Sequence, residues 1–291
     1  MPGLTPASWF TIILGDMTQT KQSKGKQSDA KQHKGKHSGT NQYEGKRSNT
    51  TVEPAPPQRA MVIAAHPDDI EFVVAGTVAK WARVGTRIRY VVVTSGDAGS
   101  HQPGITREEL ARVREAEQRA AARVVGVDDV AFLGYRDGEV EPTLALRRDL
   151  VREIRHFKPD TVICYDPTLL LVGDRYINHP DHRAVGQAAL DAIAPTAAMP
   201  LAFVELRQEG LGPHQVKDVL IASTLEPNTW IDIAGTIELK IKALRQHASQ
   251  FPDGWDPADW LREWAAESGE KVGIAYAEAF RRIALVREEG D

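Results

Sequence analysis

The chain has 291 residues, a net charge of −4 and one cysteine. Residues 1–57 hold eight basic and four acidic side chains, so residues 58–291 carry 28 basic against 36 acidic ones, a net −8. An acidic body of this kind excludes a general nucleic-acid binder, which needs a basic footprint, and a lone Cys164 excludes a disulfide framework within the chain.

No apolar run approaches the ~18–20 residues of a membrane-spanning helix. The apolar stretch 9–14 is short, and no basic residue precedes it as in a secretory signal, so a cytoplasmic location is expected. Residues 1–57 read as a disordered, low-complexity tail. It contains a ten-residue repeat: KQSKGKQSDA from Lys21, KQHKGKHSGT from Lys31 and NQYEGKRSNT from Asn41. The copies have almost no apolar side chain to offset the entropy of ordering. Pro54, Pro56 and Pro57 close the tail as a stiff linker, and residues 58–291 form the body.

The body opens on a short apolar run, 61–64, as expected of a strand buried on both faces of a parallel sheet. Residues 70–84 carry Phe72, Val73, Ala75, Val78, Ala79 and Ala82 at helical spacing. Between them lies Ala65-His66-Pro67-Asp68-Asp69, which puts one histidine and two aspartates on a strand-to-helix turn. Residues 87–94 read as a second strand, followed by a glycine-containing loop, 95–100. A long helix begins with Thr106 as N-cap and Glu109 at the capping-box position, and Gly126 ends it. Strand 130–133, helix 144–157, strand 161–165 and helix 180–193 follow. This alternation predicts an α/β fold, a Rossmann-like and mostly parallel sheet flanked by helices. The last hundred residues read as a C-terminal elaboration of the same domain. Strands are expected at 201–206 and 219–224, helices at 236–250 and 275–283, with a Trp-rich stretch between the helices.

Two clusters carry the chemistry. A catalytic zinc typically keeps three protein ligands and one open position. His66 and Asp69, three apart on the first turn, and His182, from Asn178-His179-Pro180-Asp181-His182, supply such a set. Iron(II) suits the same donors. Asp68 is left free to take a proton from water, and His179 is the candidate donor to an oxyanion or leaving group, with Asp181 orienting it. Asp68 and Asp181 each have a plainer reading as helix-start residues. Two such clusters on two loop-to-helix junctions outweigh it. A nucleotide-binding module is disfavoured, because no G-x-G-x-x-G follows the first strand.

AHPDD after the first strand, with HPDH late in the chain, resembles the LmbE-like or PIG-L de-N-acetylase family. The resemblance spans about residues 59–285. It includes Arg114-Glu115-Ala116-Glu117, Phe132-Leu133-Gly134 and His247-Ala248-Ser249-Gln250. It implies a Rossmann-like fold, zinc on His66, Asp69 and His182, Asp68 as base, and His179 with Asp181 as electrostatic catalyst. Ile70 departs from the many members with Glu directly after the aspartate pair; Glu71 comes one residue later. Three further residues are substrate-binding candidates with plainer alternatives. Arg114 contacts a sugar hydroxyl or phosphate, or else pairs with Glu117 on the helix surface. Gly96 belongs to a loop near substrate or to an ordinary turn. His247 lies at the site edge or inside the structure. The expected reaction is hydrolysis of the acetamide of an N-acetylglucosamine-type conjugate, and the sugar rests on the resemblance alone. An amidase for a larger acyl or thiol-sugar conjugate, and a catalytically silent metal-binding homologue, are the alternatives. The expected partner is a small amino-sugar conjugate, with no nucleic acid and no membrane span; a homo-oligomer is left open.

Overall fold

In the computed structural model, residues 53–174, 176–251 and 255–286 are described. Residues 1–52 of the expected tail, with its repeat, lie outside them.

Strand β1 (Arg59–Ala64) shows no alternation; every residue after Arg59 is buried. Such a strand needs cover on both faces, and the sheet supplies it. β1 lies between β2 (Arg87–Thr94) and β4 (Thr161–Tyr165), parallel to both. β3 (Asp129–Tyr135) lies outside β2, and β7 (Asp218–Ala222) outside β4, again in parallel. On one face pack α2 (Ala75–Arg83) and α3 (Arg107–Val124), through Val78, Trp81, Ala121 and Ala122. On the other face pack α4 (Leu144–Phe157) and α5 (Pro180–Ile193), through Leu146, Leu150, Val185 and Ala189. The expected capping box is present: Glu109 N–H donates to Thr106 Oγ1 at 3.2 Å, and Thr106 N–H to Glu109 Oε2 at 3.0 Å. Among the described residues no helix is long and apolar enough to cross a membrane.

With β8 (Thr229–Asp232) and β9 (Ala277–Ala284), the sheet order is β3-β2-β1-β4-β7-β9-β8. Chain direction across the sheet reverses between β1 and β4, and ligands of open α/β sheets bind at the carboxyl ends of strands beside such a point. The turn after β1 carries His66, Asp68 and Asp69; the connection after β4 leads to His179, Asp181 and His182.

The C-terminal third differs from expectation. Residues 277–284 form a strand, β9 (Ala277–Ala284), not a helix; it runs antiparallel between β7 and β8 (Thr229–Asp232). Its Ala, Glu and Arg favour helix locally, but two neighbouring strands offer backbone partners on both sides, and tertiary pairing overrides propensity. Residues 201–206 are not a strand: a turn leads into α6 (Val204–Gln208). Arg155, fully buried, holds this connection by donating to the carbonyls of Ala197, Met199 and Ala202. The expected helix 236–250 stops at α7 (Ile237–Leu244), with one 3-10 turn at Ala248–Gln250. The helix expected at 70–84 is two: α1 (Asp69–Val73) and α2, broken at Val74 with φ −132°. Residues 171–172 and 176–177 form a short hairpin, β5 (Leu171–Val172) and β6 (Tyr176–Ile177), that the sequence pattern did not suggest. The Trp-rich stretch lies on and before α8 (Ala258–Glu270); Trp260 and Trp264 border an apolar cluster with Phe72, Ile241 and Leu261.

Candidate metal centre and active site

The turn after β1 is held from several directions. Asp69 Oδ2 accepts the N–H groups of Ala65 at 3.1 Å and His66 at 2.8 Å. Asp68 sits in the left-handed region, φ 92°, where side chains other than Gly, Asn or Asp are rare. It occupies the position before α1 but makes no side-chain cap bond, so its carboxylate is not committed to the helix. Its N–H donates to Gln118 Oε1 at 3.0 Å. Arg114 Nη2 donates to Pro67 O at 2.7 Å and to Asp68 Oδ2 at 3.2 Å, and Nη1 donates to Gly96 O at 2.9 Å.

The second cluster begins α5. Pro180 is its first residue, where the missing N–H is no loss. A Cβ on Gly186 would lie 2.7 Å from Tyr165 O, so glycine lets α5 press against the end of β4. The His182 ring stacks on Tyr165 there, with centroids 4.7 Å apart and planes 8° from parallel.

Tautomers follow from these contacts. His182 Nδ1–H donates to Asn178 Oδ1 at 3.1 Å, which turns Nε2 toward Asp69 Oδ1, also at 3.1 Å. His66 Nε2 lies 3.2 Å from both Asp137 Oδ1 and Asp181 Oδ2, and its Nδ1 lies 3.5 Å from Asp69 Oδ2. When neutral, each imidazole donates its N–H to an outer partner and points a lone pair inward, as in metal sites generally. One ligand atom from each of His66, Asp69 and His182 lies within 4.8 Å of the others. A second group, His66, His179 and Asp181, meets the same distance, but the Asp181 carboxylate is already engaged by Gly138 N–H and Val140 N–H.

The electrostatics fit a cation. Burial opposes a charged His66, yet Asp69, Asp137 and Asp181 raise its pKa well above the ordinary value. Burial likewise opposes a charged Asp69, but His182 and His66 hold it well below the usual carboxylate range. Burial also works against ionised Asp137, which the His66 hydrogen bond and charge lower to about 2. A protonated His66 balances these carboxylates, and a divalent ion on the inward lone pairs would supply the same balance. Asp68 differs. Burial lifts it to about 6 against the pull of Arg114. His179 is lowered to about 4 by burial and by the charges of His66 and His182.

The structure thus brings together His66, Asp68, Asp69, His179, Asp181 and His182. Asp181 does so differently from expectation: its carboxylate holds His66 and the backbone after β3, and only its N–H, at 3.3 Å from Nδ1, touches the His179 ring. Arg114 is buried beneath the turn, rather than paired with Glu117 on the surface. The loop glycines make room for it: a Cβ on Gly96 or Gly99 would lie 2.3 or 2.5 Å from its Nη1. His247 has no exposed surface; its Nε2 lies 3.1 Å from Glu71 Oε2, and Gln118 Nε2 donates to both Glu71 oxygens. Asp137, Asn178, Tyr165 and Gln118 belong to the site, and sequence reasoning missed them. Asp137 follows the carboxyl end of β3 and Tyr165 ends β4, where the strand-end rule points; Asn178 opens the second His/Asp motif, four residues before His182, and no spacing marks Gln118.

Arg114→Met is expected to destabilise the fold by about 3 kcal/mol or more, because it leaves Asp68 as an unpaired buried charge and the Pro67 carbonyl without its donor. Urea unfolding of metal-free protein checks this; an unchanged midpoint would mean that the guanidinium is not structural.

Comparisons with known proteins agree with this geometry. The family model described as PIG-L, GlcNAc-PI de-N-acetylase, matches residues 61–193, which contain both clusters. Diacetylchitobiose deacetylase from Thermococcus kodakarensis is 32% identical over 230 residues, covering 78% of this chain and 83% of that protein. A 1D-myo-inositol 2-acetamido-2-deoxy-alpha-D-glucopyranoside deacetylase from Salinispora arenicola is 29% identical, covering 76% and 84%. Among solved structures, N,N'-diacetylchitobiose deacetylase from Pyrococcus horikoshii aligns with a TM-score of 0.72 at 35% identity, over 78% of this chain and 84% of that one. With its parallel sheet, its paired His/Asp clusters and these relatives, the chain belongs to the PIG-L family of de-N-acetylases.

Proposed function

We propose that the protein is a metal-dependent hydrolase that removes the acetyl group from an N-acetylglucosamine-type conjugate. One observation carries this reading: the inward donors of His66, Asp69 and His182 converge beside a carboxyl group, Asp68, that none of them needs and that burial lifts to about 6. Those three residues would hold Zn2+ or Fe2+, which would polarise the amide carbonyl and lower the pKa of a water.

The chain's own residues do the rest. Asp68 takes the proton of the attacking water, and a carboxyl group near neutrality is matched to that task. Arg114 fixes its orientation through Oδ2. His179 is neutral with Nδ1 accepting from Asp181 N–H, so it carries its proton on Nε2 and donates to the developing oxyanion. Asp68, protonated after the first step, returns the proton to the departing amine. The amino sugar is supported by the relatives, which are named for deacetylating diacetylchitobiose and a glucosaminyl inositol.

The test is to incubate metal-loaded protein with a neutral and a phosphorylated N-acetylglucosamine conjugate and with an N-acyl amino acid, reading free amine. Release from a sugar conjugate is expected. Release from the amino acid alone would remove the sugar and leave a metal amidase.

Residues 58–291 are proposed to carry the whole activity. A chain starting at Pro57 is expected to keep its melting temperature and turnover, since among the ion pairs of the described residues it removes only Glu53–Lys80, about one-third exposed and worth about 0–1 kcal/mol. A fall in either by thermal scan or rate assay would show that the tail docks on the body.

A further inference from the structure

Behind His182 lies a chamber of about 310 Å³, at the carboxyl ends of β4 and β7 and between the β5–β6 hairpin and α8. Its near wall is His182 and Tyr165; its far wall is Trp260, Trp264 and Ala265. The one buried cation in that wall, Lys240, is 2.6 Å from Glu278 Oε1, and Glu278 also accepts the N–H groups of Gly76 and Thr77. That pair is closed on itself and offers a ligand no free charge. Exposed Lys271 also lines the chamber, with Ser223 and Thr224, and the rest of the mouth is largely apolar. Leu225 lines the chamber while 63% exposed, and the cross-strand neighbours Leu171 and Ile177 are 56% and 68% exposed on the hairpin beside it.

The volume equals about ten waters at about 30 Å³ each, so an acetyl methyl leaves most of it unfilled. His182 belongs both to this wall and to the candidate metal-ligand set, so the chamber adjoins the place of the reacting amide. Its occupant is therefore part of the substrate, not a separate protein segment. We infer that the substrate carries an apolar or aromatic group larger than acetyl, and that this group enters the chamber against Trp260 and Trp264. The inference rests on the proposed hydrolysis. Two sources have this chemistry: an acyl chain longer than acetyl, or an apolar aglycone on the sugar.

Two series tell them apart: glucosamine N-acylated with two to eight carbons, and methyl to octyl glycosides of N-acetylglucosamine. Each methylene buried is worth roughly fourfold. In one series kcat/KM is expected to rise at least tenfold from the shortest to the longest member. Ala265→Trp, which fills the chamber, and Leu225→Asp, at the exposed mouth, are expected to flatten that rise. Binding is read separately by calorimetry on metal-loaded Asp68→Asn, with N-octanoylglucosamine and octyl N-acetylglucosaminide. At least one is expected to bind tenfold more tightly than its short counterpart. A flat rate series with normal acetyl turnover would overturn the chamber assignment and leave the proposed function intact. Were no compound hydrolysed, the proposed function would fail, and equal binding of long and short members would overturn the chamber independently.

Discussion

Asp68→Asn is expected to keep its metal and lose turnover by about 10²–10⁴-fold, the range of general base catalysis. The substitution isolates the proton-accepting role. Asparagine tolerates the left-handed backbone that position 68 requires, φ 92°, better than alanine does. It retains an oxygen to accept from Arg114 Nη2 and an N–H for Gln118. It removes only the charge and the basic lone pair. Metal analysis and steady-state rates on the same preparation decide the matter. Near-normal turnover with full metal would move the base elsewhere, and His179 is the nearest alternative.

His182→Ala is expected to reduce bound metal to less than about a tenth of an ion per chain, since a catalytic site has only three protein ligands to lose. Activity falls with it. The fold survives, because α5 is anchored by Val185, Ala188, Ala189 and Ala192 rather than by its first turn. Circular dichroism checks the fold, and elemental analysis the metal. His179→Ala is the contrast: it is expected to stay loaded while kcat drops. Together the pair separates the two His/Asp groups of the site, which share His66. Loss of metal from His179→Ala and not from His182→Ala would reassign the centre to His66, His179 and Asp181.

Much of the site was legible because its chemistry is local. His66, Asp68 and Asp69 follow one strand within four residues, and His179 to His182 open one helix, so the residue types and a loop-to-helix junction announced both clusters. The unbroken apolar runs of β1 and β4 and the helical periods between them gave the parallel sheet, since burial on both faces leaves that mark. The capping box of α3 was readable for the same reason: both partners lie within one turn.

What the tertiary structure alone decided involves partners distant in sequence. Arg114 reads equally as a ligand contact or a surface pair; only the return of α3 beneath the β1 turn, with Gly96 and Gly99 leaving it space, puts it on Asp68. Asp137 shares no motif with His66 and meets it because β3 and β1 end on the same side of the sheet. Residues 277–284 have helical composition and become a strand because β7 and β8 pair with them on either side. Sequence shows what a segment prefers and what chemistry it carries. Which carboxylate faces which imidazole, and how much space lies behind His182, is fixed by packing among segments tens to hundreds of residues apart.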